Sequence, residues 1–452
     1  MSRHFDTIAA LATPVGTAAI ALVRVSGVDA GRLAQEIFGV VPLPRRVRHG
    51  DYRDRAGVLL DDVVWVFFAG PASYTGEDSL EISCHGNPYV AQRLLEDLLA
   101  RGCRSAEPGE FTQRAFLGGK MDLSQAEAVM DLIQARSERA LVAANRQLRG
   151  ALGRQMGGLI EALLLGLARV EAYIDFPDED LPQEDRALVA AQIAQVLRGT
   201  ERLLATSHYG EVLRQGIKTV IIGEPNAGKS SLLNRLVGRD RAIVSPEPGT
   251  TRDFIEEVVN IGPHCLRLID TAGLNPAPGV VEKLGIEKTF EIAAESDLFV
   301  VVMDVNSPAL VLDKVLREKM QAGNTLLVWN KIDLAPVPVL SGDFKAWPNV
   351  VGVSAATGMG LEVLRARIIA LADGLAPSVG EDVVAINARH AQALNQARAD
   401  LAAATDKLAA GQASELLASD LRGALAALGE ISGKVDNERM LDALFANFCI
   451  GK

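Results

Sequence analysis

Four short stretches carry side chains whose types and spacing suit phosphate and purine chemistry. Gly223-Glu-Pro-Asn-Ala-Gly-Lys-Ser230 fits G-x-x-x-x-G-K-[ST] between an apolar run, Ile217 to Ile222, and a helix-like stretch from Ser231 to Val237. In that setting Gly223 and Gly228 allow backbone angles that other residues resist. Successive N–H groups can then turn inward around phosphate oxygens while the positive end of a helix faces the same way. Lys229 would neutralise the outer phosphates and Ser230 would offer its hydroxyl to a magnesium ion. Downstream, in order and each after a strand-like run, come Asp270-Thr-Ala-Gly273, Asn330-Lys-Ile-Asp333 and Ser354-Ala-Ala356. The first can hold the metal through water and present the Gly273 amide to a γ-phosphate. Asp333 can accept both the ring N–H and the exocyclic amine of guanine, whereas adenine would leave that carboxylate unpaired at a cost. Four ordered elements at strand ends predict guanine-nucleotide binding, which the glycine pattern alone would only suggest.

Hydrolysis needs more than a cradle. Within Ser245-Pro-Glu-Pro-Gly-Thr-Thr-Arg-Asp253 the expected second magnesium ligand is Thr251. Ras-like enzymes follow the Asp-x-x-Gly element with a water-orienting glutamine, but this chain has Leu274, which can neither orient water nor stabilise charge. Two compensations are visible. The Asn226 side chain could ligate a monovalent cation beside the phosphates, and Glu282 could position the attacking water through a second one. The plainer readings are an asparagine stabilising its own turn and a glutamate on a solvated helix face.

The elements that must position these residues come from a chain of 452 residues, too long for one ordinary domain. At 48% hydrophobic and 23% charged it is globular. Its four cysteines show no paired spacing, which indicates neither a zinc site nor a disulfide framework, and no stretch approaches a membrane span. A cytoplasmic location is the simplest expectation. A net charge of -11 argues against a general nucleic-acid coat. Residues 1–118 read as an α+β domain. From Asp122 the texture turns helical, with Ser124-Gln-Ala-Glu127 spaced as a capping box and an alanine- and leucine-rich stretch running towards Ala172. The acidic, proline-broken Ile174 to Pro182 reads as a solvated connection. Residues 119–214 and 377–452 share this helical texture and flank an α/β nucleotide module at 215–376. The expected fold class is therefore an α/β P-loop GTPase domain inserted into an all-α helical domain, preceded by the α+β domain.

Further stretches bring a resemblance into view: Asp6-Thr-Ile-Ala-Ala10, Gly16-Thr-Ala-Ala-Ile20, Ser73-Tyr-Thr-Gly-Glu-Asp78 through Ser83-Cys-His-Gly86, and Pro108 to Ala115. To these add Gly119-Lys-Met-Asp-Leu-Ser-Gln-Ala-Glu127, Gly249-Thr-Thr-Arg-Asp253 and the terminal Cys449-Ile-Gly-Lys452. Together they resemble, over the whole chain, the bacterial and organellar tRNA-modification GTPases of the MnmE or TrmE family. The resemblance implies a folate-binding first domain through which family members form homodimers. It also implies a flavin- and NADH-using partner, MnmG. The shared product is tRNA carrying an aminomethyl or carboxymethylaminomethyl group at C5 of the wobble uridine, with a tetrahydrofolate derivative (5-formyl- or methylene-tetrahydrofolate) as one-carbon donor. GTP hydrolysis would depend on potassium and on pairing of the GTPase domains.

Carried over by the resemblance, GTP would be held by Asn226, Ala227, Gly228, Lys229, Ser230 and Ser231, and by Ser245, Pro246, Glu247, Pro248, Gly249, Thr250 and Thr251. Asp270, Thr271, Ala272 and Gly273, then Asn330, Lys331 and Asp333, and Ser354, Ala355 and Ala356 complete that set. Potassium would take Asn226, Ser245, Glu247 and Thr250, magnesium Ser230 and Thr251, and catalysis would rest on Glu282, Lys229 and Asn226. Folate would meet Arg24, Glu81, Lys120 and Lys452; a carboxylate suits the guanidine-like edge of a pterin and cations suit its glutamate tail. Pro246, Glu247 and Pro248 depart from the smaller or apolar residues usual in that family loop. Cys449 invites a nucleophilic reading, against which a positioning role is expected. Arg136, Arg139, Arg146 and Arg149 fall on one helical face, and this stripe or Arg45-Arg-Val-Arg-His49 could meet tRNA phosphates, although a solvated face is the preferred reading. The alternative of another class is a ribosome-assembly or signalling switch, from which folate binding by the first 120 residues would separate this chain.

Overall fold

The computed structural model describes residues 6–175, 183–240, 256–270, 295–307, 314–338, 347–375, 384–433, 441, 444–446 and 448–451. Ser245 to Thr251, Thr271 to Gly273, Glu282 and Lys452 lie outside the described residues, as does most of the acidic connection. The chain divides into two compact units, Met1–Met130 with Gly429–Lys452, and Asp131–Leu428.

The first unit contains strands β1 (Ile8–Leu11) and β2 (Ile20–Ser26), helix α1 (Ala30–Phe38), and strands β3 (Val47–Arg53), β4 (Leu59–Phe68) and β5 (Ser79–His85). Helix α2 (Pro88–Ala100), strand β6 (Arg104–Ser105) and helix α3 (Glu110–Leu117) follow. The sheet order is β3-β4-β5-β2-β1-β6, antiparallel except for the parallel β1–β6 pair. Strand alternation decides its two faces. Ala21, Val23 and Val25 of β2 join one core with Leu33 and Ile37 of α1 and Leu94 and Leu98 of α2. Leu22, Arg24 and Ser26 therefore point to the other face, where Phe111 of α3 packs with Ile8, Ala10 and Ala106. Asn87 caps α2, its side chain accepting from the Tyr89 amide, with Pro88 as the first helical residue, where a missing N–H costs nothing.

Helix α4 (Leu123–Gln134) begins one residue before the expected cap. Asp122 does the capping: its Oδ1 accepts from the Gln125 amide at 2.8 Å, and Gln125 Oε1 accepts from the Asp122 amide at 3.0 Å. The reciprocal pair is thus Asp122 with Gln125, two residues ahead of Ser124 with Glu127. Nor is the helical stretch towards Ala172 continuous. It breaks into α4, α5 (Glu138–Leu148) and α6 (Ala151–Asp175), because Ser137 caps a new start by accepting from Ala140 N and Gly150 takes a left-handed turn at φ 79°. The arginine stripe breaks with it. Arg136 precedes α5, Arg149 is its C-cap residue, and Arg139 is paired to Asp373, so the four do not form one helical face.

In the second unit, α7 (Gln183–Leu204) and α8 (Ser207–Gln215) lead into β7 (Ile217–Ile222), α9 (Lys229–Asp240), β8 (Glu256–Ile261), β9 (His264–Asp270) and β10 (Leu298–Asp304). Then come α10 (Lys314–Lys319), β11 (Thr325–Asn330), β12 (Val350–Gly352), α11 (Leu361–Gly374), α12 (Ala388–Ala409) and α13 (Ser414–Ser432). The sheet order is β12-β11-β10-β7-β9-β8, parallel except where β8 meets β9. Its central strands read as unbroken apolar runs because both faces are covered; all of Leu298 to Met303 is buried. After β7 the chain builds β8 and β9 on one side and then crosses to β10 on the other. The carboxyl end of β7 is therefore a switch point, where open α/β sheets leave a crevice.

Candidate functional site

The 223–230 loop leaves β7 at that switch point. Its path depends on close backbone approach: a Cβ on Gly228 would come within 2.2 Å of Asn330 Nδ2, at a φ of 92° that side chains resist. Asn226, with φ 64°, is left-handed too and stands exposed at the loop's turn, a conformation asparagine tolerates better than most residues. Lys229 is buried, and its Nζ donates to Gly223 O at 2.8 Å and Glu224 O at 3.0 Å, which fixes the ammonium over the loop. Ser230 and Ser231 are exposed in the first turn of α9, where the helix dipole favours anions.

Asn330 ties the elements together. It is buried, its Nδ2 donates to Ala227 O at 2.8 Å, and its Oδ1 accepts from Ala355 N at 3.0 Å. One side chain thus joins the phosphate loop to the Ser354-Ala355-Ala356 turn. Lys331 sits at φ 66° and donates to Asp304 Oδ2 at 2.6 Å, which holds the Asp304 carboxyl below its usual range. Asp333 is exposed at the same end of the sheet. Ser354 is buried and accepts from Thr357 N at 3.1 Å, closing the turn. Arg235 of α9 was not anticipated: it donates to Ala355 O at 2.9 Å and Ala356 O at 2.5 Å, clamping the base-side turn to the phosphate-side helix. No pattern in the sequence marks it. Asp270 ends β9 in register with Ile221, next to the strand that feeds the loop. The crowded glycine, the lysine fixed over the loop and the helix N-terminus behind it suit the phosphates of a guanine nucleotide.

The first unit holds a second concavity, of about 380 Å³, on the sheet face away from α1 and α2. Arg24 and Glu81 are cross-strand neighbours there. Arg24 Nε and Nη2 both donate to Glu81 Oε1, at 2.9 and 2.8 Å, and the guanidinium lies 5.4 Å from the Tyr74 ring centre and 5.7 Å from that of Phe111. Tyr74 shares a 2.9 Å hydrogen bond with Thr112, and burial pushes its hydroxyl pKa up, so it stays protonated. Arg45 and Phe68 also line the cavity. Lys120 donates to Pro71 O at 2.8 Å beside it. Arg24 Nη1 donates to Gly451 O at 3.4 Å, and the Gly109 amide donates to Cys449 O at 3.3 Å, so residues 449–451 are tied to this unit with Cys449 exposed. An aromatic wall, a carboxylate and guanidinium groups suit a planar, amide-like heterocycle. The structure brings Arg24 and Glu81 together with Lys120 beside them; Tyr74 and Phe68 were not singled out in the sequence, and Arg45 was read there only as a candidate phosphate contact.

Fold and loop together define a P-loop GTPase. The comparisons extend this to the whole chain. The family model for the GTP-binding protein TrmE N-terminus matches residues 7–120, and that for the MnmE helical domain matches 123–449. The tRNA modification GTPase MnmE of Opitutus terrae is 58% identical over 447 residues, covering 99% of each chain. Those of Symbiobacterium thermophilum and Akkermansia muciniphila are each 44% identical, covering 99% of this chain and 99% of theirs. The chain belongs to the MnmE (TrmE) family of tRNA modification GTPases.

Proposed function

We propose that the enzyme couples GTP hydrolysis to modification of the wobble uridine in tRNA. With a flavoprotein of the MnmG kind it adds an aminomethyl or carboxymethylaminomethyl group at C5, drawing the one-carbon unit from a tetrahydrofolate held in the cavity of the first unit. The observation that carries this reading is the presence, on one chain, of the Asn330-tied nucleotide loop and the Arg24–Glu81–Tyr74 cavity. A plain nucleotide switch has no use for the cavity. In this reading the protein works in the cytoplasm as a homodimer through residues 1–118. The GTPase module of residues 215–376 is inserted between two parts of one helical domain, 119–214 and 377–452; the packing of α12 along α7, from opposite sides of the module, supports that arrangement. No helix among the described residues is long and apolar enough to cross a membrane.

Potassium supplies the positive charge for which Leu274 offers no substitute. Asn226 is its ligand on the phosphate loop, joined by Ser245, Glu247 and Thr250, while Ser230 and Thr251 serve magnesium and Glu282 orients water. The exposure of Asn226 at a left-handed turn supports the first of these roles. Steady-state GTP turnover by the full chain tests it. We expect hydrolysis at least about tenfold faster in potassium than in sodium, as befits one added charge at the transition state. Asn226→Ala should abolish that difference. Equal wild-type rates in the two salts would remove the cation from the mechanism.

A further inference from the structure

Arg235 directs its charge at backbone. Its Nε donates to Ala355 O at 2.9 Å and its Nη2 to Ala356 O at 2.5 Å, and no carboxylate pairs with it among the described residues. Most amides of the same turn are committed as well. The Ser354 amide donates to Met359 O at 2.9 Å, the Ala355 amide to Asn330 Oδ1 at 3.0 Å, the Thr357 amide to Ser354 Oγ at 3.1 Å and the Gly358 amide to Ser354 O at 2.8 Å. Ala356 is exposed, and its N–H has no hydrogen-bond partner among the described residues. In a trans peptide the C=O and the following N–H point in opposite directions, so a cation on Ala355 O turns the Ala356 N–H away from α9. The same cation polarises that peptide and makes the N–H a stronger donor. This donor stands on the turn that is tied to Asn330, three residues before Asp333. A guanine whose N1–H and amine meet Asp333 carries O6 beside N1, and that oxygen needs a donor.

We propose that Arg235 is a positioning residue for the base: by holding Ala355 O and Ala356 O it aims and strengthens the Ala356 amide for the O6 of guanine, and so contributes to a preference for 6-oxopurines. The inference rests on guanine-nucleotide binding and is independent of the folate and potassium readings. A guanidinium suits the task because its planar fork reaches two neighbouring carbonyls at once.

The test pairs three nucleotides with two variants of the full chain. GDP is compared with IDP, which keeps O6 but lacks the amine, and with 6-thio-GDP, which keeps the amine but replaces O6 by sulfur, a poorer acceptor. Arg235→Met keeps the stem without its donors, and Arg235→Lys keeps the charge. By calorimetry, wild type should bind GDP about fivefold more tightly than 6-thio-GDP, the scale of one net hydrogen bond. Arg235→Met should weaken GDP and IDP by about that same factor and leave 6-thio-GDP unaffected. Arg235→Lys should recover part of the loss. Equal weakening of all three ligands would make Arg235 a brace for the turn and nothing more, and no weakening of any would show that the turn is set without it; either overturns the proposal. Wild type binding GDP and 6-thio-GDP equally well would also overturn it while leaving nucleotide binding intact. Wild type binding none of the three would instead sink the nucleotide site itself.

Discussion

The nucleotide loop and the cavity of the first unit solve recognition in opposite ways. The loop is built from backbone: consecutive residues, crowded glycine and a lysine pinned to the loop's own carbonyls. The cavity is built from side chains that lie far apart in sequence, with Arg24 on β2, Glu81 on β5, and Tyr74 and Arg45 on connecting turns. A backbone site demands particular residue types at fixed spacing, so it can be read directly. A side-chain site demands only that suitable groups converge, and many sequences can arrange that.

This contrast can be broken by experiment. The largest effect is expected at Gly228. Adding one methyl group there collides with the Asn330 amide and strains a positive φ, so Gly228→Ala should weaken GTP binding about 100-fold, or roughly 2.7 kcal/mol. Titration with a fluorescent GTP analogue measures this, and near-wild-type affinity would show that the loop is not held by close approach. The cavity should respond more gently, to charge rather than bulk. Arg24→Met keeps the stem but frees Glu81 and removes the cation over Tyr74, and folate affinity should fall about tenfold. An unchanged value would take Arg24 out of the site.

The smallest effect concerns the support beneath the cavity. Glu110 is buried, which pushes its carboxyl up, but Arg104, the Glu107 amide and Arg114 more than reverse this and hold it below its usual range. Asp6 behaves likewise, with Arg104 and Arg114 outweighing burial. A folded-state value below the unfolded one means that the stabilisation is whole above the ordinary carboxylate range, and is lost as pH falls through the folded value. The melting temperature of the first unit should therefore decline below about pH 4.5. Glu110→Gln should melt lower at neutral pH and show a shallower acid slope. A slope identical to wild type would exclude this network as its source.

Much of the second unit was legible because apolar runs ending in phosphate- or base-binding residues have few other uses. Strands β7, β9 and β11 end where Gly223, Asp270 and Asn330 predict. Local detail was less secure. The cap at α4 moved to Asp122 because a carboxylate with a glutamine three residues on makes the same reciprocal pattern, two residues earlier, as a serine with a glutamate. The arginine stripe failed because helical projection assumes an unbroken helix, and Ser137 starts a new one.

By itself, the sequence determined the nucleotide loop, the order of the strand-end elements that follow it and the alternation of α+β and helical texture, since each depends on neighbours along the chain. Tertiary structure decided that Asn330 joins two loops, that Arg235 clamps a third element, and that Tyr74 and Arg45 border one cavity with Glu81. Those facts depend on which strands pair and which turns meet. Such pairings are set by burial of whole faces, which local spacing does not encode.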